Sequence, residues 1–290
     1  MEGWMRRVGP SAVFVVLGLL MAAAPAGAAV TIGQVAPTTP SAGCGGAVGS
    51  DQVQPTVKSG NSYVVPGTGT ITSWSHNAAA GSGQQLTMKI FRKVADPATY
   101  LVVGHDGPRA LAPGNLNGFP ANIAVKPGDV IGLNDYSPAA PVGCSFSATG
   151  EGYVGRTGSL ADGEFGSFTS FGAAGNRRNI SAVFVPSNAF TFGKARRNET
   201  KGTATLKVDF PNLGEFTVGG KGLKAAAVSG ATAARGVTAP GTIKLTIKAK
   251  GQNRHKLSET GKVQVKPKIT YTPTGGDAAT RSIKVKLKLR

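Results

Sequence analysis

The last third of the chain alternates basic and apolar residues, and this pattern restricts its fold more than any other feature. Apolar side chains recur at alternate positions in the segments 204–210, 243–247, 263–271 and 283–289. Successive side chains of a β-strand point to opposite faces of a sheet. The pattern therefore predicts strands that turn an apolar face into a core and a basic face to solvent. The outward basic positions that follow from it are Lys207, Lys244, Lys248, Lys262, Lys266, Lys268, Lys284, Lys286 and Lys288.

The basic charge is concentrated in the same part of the chain. Residues 186–290 contain 21 Lys and Arg against five Asp and Glu, whereas residues 30–185 contain nine against eight. Such a break in composition is typical of a domain boundary, and the length of 290 residues fits two domains. We predict one domain over 29–186 and a second over 187–290. The second, about a hundred residues of alternating strands, is expected to be an immunoglobulin-like β-sandwich.

The first domain also shows strand-like alternation. Leu86, Met88 and Ile90 alternate with Thr87 and Lys89. The chain contains 42 glycines, 18 prolines and only six glutamates, a composition that favours short strands and turns over helices. We therefore predict an all-β protein whose first domain is a jelly-roll-like antiparallel sandwich.

Turn and loop signals refine this prediction. A β-rich run at 100–103 is expected to stop at Gly104, and Pro127 and Gly128 occupy the central positions of a predicted type II turn before a strand from Val130. Residues 30 to about 60 and 104–122 are expected to be rich in loops.

The N-terminus has the features of a secretory signal peptide. Arg6 and Arg7 precede an apolar run at 12–24 and a stretch of small residues that ends at Ala28. The run is shorter than the span of about 20 residues that a transmembrane helix needs, and no later segment is apolar enough. We expect residues 1–28 to be removed and the mature chain, without a membrane segment, to be secreted or associated with the cell wall.

Export determines the expected redox state of the only two cysteines, Cys44 and Cys144, which lie in glycine-containing segments. Disulfides form and persist in oxidising compartments outside the cytoplasm. We predict that the two cysteines are bonded to each other. A zinc site is not expected, because two thiols without a nearby histidine pair do not supply four ligands.

Three segments carry a resemblance to known proteins: ITSWS at 71–75, VKPGDVIGL at 125–133 and YTPTGG at 271–276. Together with the cysteine pair and the lysine-rich C-terminal part, they resemble secreted two-domain β-sandwich proteins of high-GC Gram-positive, actinobacterial soil bacteria, which are largely of unassigned function. The resemblance implies an architecture and a compartment. It implies no active residue.

No catalytic signature is found in the sequence. It contains no Gly-x-Ser-x-Gly motif, and His76, His105 and His255 do not have the spacing of a zinc hydrolase. His105 and Asp106 could belong to a triad with a distant serine, but we interpret them as polar loop residues. We predict no enzymatic activity, no cofactor and no metal site, while calcium binding stays open.

Carbohydrate binding is one candidate function for the first domain, by analogy with other jelly-roll sandwiches. Aromatic rings can stack on sugar rings, and polar groups can bind their hydroxyls. The candidate residues are Trp74, His76, Tyr100, Asp106, Phe119 and Tyr136. Trp74 lies in an alternating segment, where a tryptophan is more often part of the core.

The lysines suggest a different function for the second domain. They could form only a solvated face that opposes edge-to-edge aggregation. Ordinary surfaces mix both signs of charge, however, whereas a surface of one sign attracts polyanions. We predict a non-catalytic secreted or cell-envelope protein whose basic module adheres to anionic wall glycopolymers or other polyanions. A carbohydrate-binding or carbohydrate-active protein is the alternative, and nucleic acid is disfavoured because the expected aromatic interleaving is missing.

Overall fold

A computed structural model of the chain describes residues 29–40, 44, 49–136, 142–170, 175–229 and 236–290. The predicted signal peptide, residues 1–28, lies outside these ranges, as do the glycines on either side of Cys44. The described chain is mostly β-structure in antiparallel sheets, as predicted, with one short helix. No helix within these ranges is long and apolar enough to cross a membrane.

Thirteen strands precede residue 187. They are β1 (Val30–Gln34), β2 (Asp51–Val53), β3 (Gly69–Asn77), β4 (Gln85–Ala95), β5 (Thr99–Ala110), β6 (Leu116–Val125), β7 (Val130–Asp135), β8 (Ser145–Ser147), β9 (Val154–Arg156), β10 (Phe165–Ser167), β11 (Thr169–Ser170), β12 (Asn176–Arg178) and β13 (Ile180–Pro186).

Two of the sheets enclose the first core. One is four-stranded in the order β1-β13-β3-β6, and the other is seven-stranded in the order β10-β5-β4-β7-β2-β9-β11. The side chains of Ile71 and Trp74 from the first sheet pack in one cluster with Ile90 and Ile131 from the second. All four are fully buried, so this cluster is the hydrophobic core of residues 30–184.

The alternation in β4 places Leu86, Met88 and Ile90 in the core, as predicted. Thr87 and Lys89, on the other face, are only 5% and 3% exposed. They are buried because Ser159 and Leu160 lie over this outer face of the sheet, where Lys89 Nζ donates to the Ser159 hydroxyl and to the Leu160 carbonyl. Phe168, between β10 and β11, packs edge-on against Phe91 in the core, at 5.5 Å between ring centroids.

The expected loops at 30–60 and 104–122 are partly wrong. Strands β1 and β2 lie in the first of these ranges, and β5 continues through Gly104 to Ala110. A glycine suits position 104 of this strand, because the Cβ atom of any other residue would lie only 3.1 Å from the side chain of Ile123. Pro120 is tolerated in β6 because this strand lies at the edge of its sheet. The turn predicted at Pro127 and Gly128 is present, with Gly128 at φ +87°.

The strands after residue 187 are β14 (Thr191–Phe192), β15 (Arg196–Asn198), β16 (Thr203–Phe210), β17 (Gly214–Gly219), β18 (Leu223–Ser229), β19 (Gly236–Val237), β20 (Gly241–Ala249), β21 (Lys262–Val265), β22 (Lys268–Pro273), β23 (Ala279–Ser282) and β24 (Val285–Lys288). A helix that the sequence did not predict, α1 (Gln252–Thr260), connects β20 to β21.

These strands form a second set of sheets around a separate core. One sheet has the order β14-β16-β20-β18, with β15 also paired to β16, and another has the order β19-β17-β22-β23. Strands β21 and β24 pair as a two-stranded ribbon. The predicted alternation is confirmed, because Leu206, Leu245, Tyr271 and Leu287 are at most 1% exposed in one cluster.

Asn212 connects the two parts of the chain. Its side chain accepts a hydrogen bond from the backbone N–H of Thr68 and donates to the carbonyls of Thr68 and Ser187, all at 2.7 to 2.8 Å. Asn212 is only 4% exposed. A buried polar contact therefore joins the two parts of the chain, while a domain boundary near Pro186 stays a prediction.

The predicted disulfide between Cys44 and Cys144 is present, and it joins positions 100 residues apart. Both cysteines belong to the first core. A crosslink over this distance restricts the unfolded chain strongly. It also attaches Cys44 to the segment that leads into β8.

We expect the double substitution Cys44→Ala and Cys144→Ala to lower the free energy of unfolding by about 4 kcal/mol, because the unfolded chain regains the entropy of an open loop. Denaturant unfolding of the oxidised, reduced and substituted chains measures this. The reduced wild type is the control and should match the double variant. Equal midpoints for the oxidised and reduced chains would contradict the prediction.

Candidate functional site

The outer face of the sheet formed by β16, β18 and β20 is basic. Lys207 lies directly opposite Lys244 across β16 and β20, and Lys224 lies directly opposite Lys248 across β18 and β20. We call these four lysines the basic sheet face. All four are exposed. Side chains in opposed positions have Cβ atoms about 5 Å apart, and like charges there destabilise a sheet.

The four lysines have one acidic neighbour in these three strands, Asp209, which is exposed two positions from Lys207 on the same face of β16. Within the described ranges, none of them has a carboxylate oxygen within the 4.0 Å of an ion pair. Three ion pairs between described residues of the C-terminal part converge instead on Glu199, which faces Arg197, Lys288 and Arg290. The basic sheet face therefore carries four positive charges against the single carboxylate of Asp209.

A second basic surface lies on the ribbon of β21 and β24. Lys262 is opposite Lys288, and Lys286 is opposite Gln264. Lys288 is half-buried and lies 3.9 Å from Glu199, so it is less available than the sequence pattern predicts. Lys284, in the segment before β24, is exposed.

The remaining two predicted lysines lie elsewhere. Lys268 is exposed on β22, on the same face of the strand as Thr270. Lys266 lines a cleft of about 530 Å³ together with Lys221 and Lys250, beside the first turn of α1. The nine predicted lysines are thus divided among several surfaces, and the structure adds Lys221, Lys224 and Lys250 to them.

The carbohydrate candidates of the first part are mostly closed to a ligand. Trp74 is fully buried, and its indole Nε1 donates a 2.6 Å hydrogen bond to Asp106 Oδ2. Its ring lies 4.7 Å from that of half-buried Phe119. Arg109 donates two hydrogen bonds to Asp106 and lies over the Phe119 ring. Burial raises the pKa of Asp106, but the hydrogen bonds from Arg109 and Trp74 outweigh it and lower the pKa overall.

His76 and Tyr100 are also parts of the core. The His76 ring is fully buried, with Nδ1 at 2.6 Å from the carbonyl oxygen of Asn179 and Nε2 at 2.9 Å from that of Val142. Burial lowers the pKa of His76, although the two carbonyls oppose this shift. Tyr100 is 3% exposed and packs against Phe168. Neither side chain can present a ring face to a sugar.

Tyr136 is the exception among the six candidates. It is 55% exposed and lines a cleft of about 460 Å³ on the outer face of the seven-stranded sheet. We call this the sheet cleft. Its floor includes Thr87 and Asn134, and its sides include His105 and Asp162.

His105 pairs with Asp162, at 2.8 Å between Nδ1 and Oδ1, rather than with its sequence neighbour Asp106. Ser159 lines the same cleft, but its hydroxyl accepts a hydrogen bond from Lys89 Nζ at 2.8 Å. Within the described ranges, no hydrogen bond joins Ser159 to His105. The contact between nucleophile and base that defines a serine triad is therefore not formed here.

A buried ionic network lies beneath the sheet cleft. Asp51, which is fully buried, accepts hydrogen bonds from Lys89 Nζ at 2.8 Å, from Asn134 Nδ2 at 2.7 Å and from the backbone N–H of Leu160 at 2.8 Å. Sequence reasoning missed Asp51 because it lies in a segment that was expected to be a loop. No sequence motif marks this network.

One cluster has the composition of a metal site. The sulfurs of Cys44 and Cys144 and a carboxylate oxygen of Asp135 lie within 4.8 Å of one another. Both sulfurs are bonded in the disulfide, so they are not the thiolates that bind metal ions. The cluster is therefore a disulfide beside a buried acid.

Comparison with protein-family models, with curated proteins and with solved structures finds no match to this chain.

We expect acid to destabilise the protein through His76. Its pKa is lowered in the folded state, so unfolding takes up a proton below the ordinary pKa of about 6.5. This contribution to stability is complete above about pH 6.5 and is lost as the pH falls toward 5. Between these pH values, the melting temperature of the wild type should fall more than that of His76→Asn. His255→Asn, at an exposed position, is the control and should behave like the wild type.

We expect Lys89→Met to destabilise the fold by roughly 3 to 5 kcal/mol, because it leaves the Asp51 carboxylate buried without its cation. The double variant Asp51→Asn with Lys89→Met should lose less. Denaturant unfolding measures both. Lys93→Met, which removes the exposed pair with Asp96, should leave the midpoint almost unchanged. If Lys89→Met is as stable as the wild type, the stabilising role assigned to the pair of Asp51 and Lys89 is wrong.

Proposed function

We propose that this is a secreted, non-catalytic protein whose basic C-terminal part adheres to anionic polymers of the cell wall. The main supporting observation is the register of the basic sheet face, in which lysine lies opposite lysine twice and Asp209 is the only acidic residue of the three strands. An arrangement that costs stability in the free protein is relieved when a polyanion supplies the missing charge. Phosphate and uronate polymers have the required chemistry.

Several lysines on one surface can act together. A single exposed ion pair contributes little, because water and salt screen it. A polymer with regularly spaced anions can contact Lys207, Lys244 and Lys248 at once, and the ribbon offers Lys262 and Lys286 as further contacts. Adhesion of this kind needs no deep pocket and recognises charge density rather than a single residue of the polymer.

A nucleic acid is a less suitable partner. Binders of single strands combine a basic groove with aromatic side chains on which bases stack. In the described part of the chain, the two aromatic side chains with high exposure are Tyr136 and Phe165, and both belong to the first part. The basic sheet face presents threonines such as Thr205 and Thr246 between its lysines.

We infer that the two parts are a jelly-roll-like and an immunoglobulin-like sandwich. In the first part, the chain crosses between the sheets from β3 to β4 and back from β5 to β6, so that β4 pairs with β5 in one sheet while β3 pairs with β6 in the other, which supports a jelly-roll-like path of the chain. In the second part, the orders β14-β16-β20-β18 and β19-β17-β22-β23 support two facing sheets with strand crossovers between them. The disulfide supports an oxidising, extracytoplasmic compartment.

We expect the triple substitution of Lys207, Lys244 and Lys248 by Gln to weaken retention on heparin or on isolated cell wall. The protein should elute at clearly lower salt, because three contacts that release counterions are lost. The melting temperature should stay the same or rise slightly, since the substitutions remove like-charge repulsion. Salt-gradient chromatography and thermal unfolding measure the two effects.

The matched control changes the net charge equally but elsewhere. Lys58, Lys93 and Lys126 are exposed on the first part, and their triple substitution by Gln should leave elution almost unchanged. If both triple variants elute together, retention follows net charge alone. The proposal of an adhesive surface should then be abandoned.

A further inference from the structure

We propose that the sheet cleft binds an uncharged saccharide. This site is separate from the basic surfaces: it lies on the outer face of the seven-stranded sheet, between the ends of β5 and β7 and the segment 159–162. The expected ligands also differ, because we propose that the basic surfaces bind polyanions and that the cleft binds an uncharged sugar. The proposal therefore does not depend on the proposed function.

Tyr136 gives the cleft an apolar wall. Most large aromatic side chains of the first part are buried, but Tyr136 is 55% exposed beside a cavity of about 460 Å³. Cavities of about 300 to 1,000 Å³ are typical of small-molecule sites. A sugar ring has one face lined with C–H groups, and such a face packs well on an exposed aromatic ring.

Polar groups converge on the same cavity. Asp162 and His105 lie at its side, about half exposed, and hydrogen-bond to each other at 2.8 Å. Because His105 uses Nδ1 for this contact, its Nε2 points away from Asp162 and can exchange hydrogen bonds with a ligand hydroxyl. Thr87 adds a hydroxyl on the floor. An aromatic wall beside hydroxyl, imidazole and carboxylate groups is suited to a polyhydroxylated ring.

The charge of the cleft argues against an anionic ligand. Lys89 lines the floor, but its ammonium donates to Asp51, to Ser159 and to the carbonyl of Leu160, at 2.7 to 2.8 Å. All three of its protons are used, and Asp51 balances its charge. The carboxylate of Asp162 leaves the cleft neutral to slightly acidic. An uncharged sugar suits this environment, whereas a phosphate or uronate polymer does not.

The cleft is also held rigidly. The network around Asp51 joins β2, β4 and β7 to the backbone of Leu160, which carries the side of the cleft. A site that is formed before the ligand arrives loses less conformational entropy on binding. The same network fixes Asn134, one of the floor residues, through its side-chain amide.

The test is calorimetric titration of the full chain with four uncharged pentasaccharides, built from glucose, mannose, xylose and N-acetylglucosamine. High salt is kept throughout to screen the basic surfaces. We expect at least one to bind, with an affinity that falls by about tenfold or more in Tyr136→Ala and in Asp162→Asn. Tyr136→Phe keeps the ring and should bind within a few-fold of the wild type.

The control is Phe165→Ala, which removes an exposed aromatic side chain that does not line the cleft and should bind like the wild type. Thermal unfolding checks that each variant is folded. The proposal is overturned if none of the four saccharides binds the wild type, or if Tyr136→Ala binds as tightly as the wild type. Neither result bears on the proposed polyanion binding, because salt-gradient chromatography tests that binding separately.

Discussion

The buried carboxylate of Asp51 is the constraint on which the first part of the molecule depends. Removing a charge from water costs several kcal/mol unless the protein replaces the lost hydrogen bonds. Asp51 recovers them from Lys89, Asn134 and the backbone of Leu160. This requirement brings three strands and the backbone of Leu160 into a single arrangement. Ser159 and Leu160 then bury Lys89 on the outer face of β4 and line the sheet cleft beside it.

A different constraint shapes the second part, where the antiparallel register itself creates the unusual feature. Alternation decides which face of each strand is basic, but pairing decides which lysines become neighbours. The register of β16 with β20 places Lys207 against Lys244, and that of β18 with β20 places Lys224 against Lys248. A slip of two residues between β16 and β20 would keep every lysine outward but place Lys207 opposite a threonine instead of Lys244. The lysines are thus opposed because of how the strands pair, and not because of the amino-acid composition.

The sequence predicted the strands of the second part well, because period-two alternation reports directly which side chains are buried. It failed where burial depends on a distant segment. Lys89 alternates like a solvent-facing residue, yet Ser159 and Leu160 cover it, and nothing in β4 indicates this. Trp74, His76 and Tyr100 are polar or aromatic types that suit binding sites, but their partners Asp106, Asn179 and Phe168 are remote in sequence and place them in the core. Of the six residues that the sequence suggested for sugar binding, only Tyr136 lines the sheet cleft.

The position of β13 has a mechanical consequence. This strand lies between β1 and β3, hydrogen-bonded on both sides, and the chain leaves it directly for the C-terminal part. A force that pulls the C-terminal part along the axis of β13, while the body of the first part is held, loads these lateral hydrogen bonds together, in shear, instead of opening them one at a time. The strand that connects the two parts is therefore well placed to bear tension.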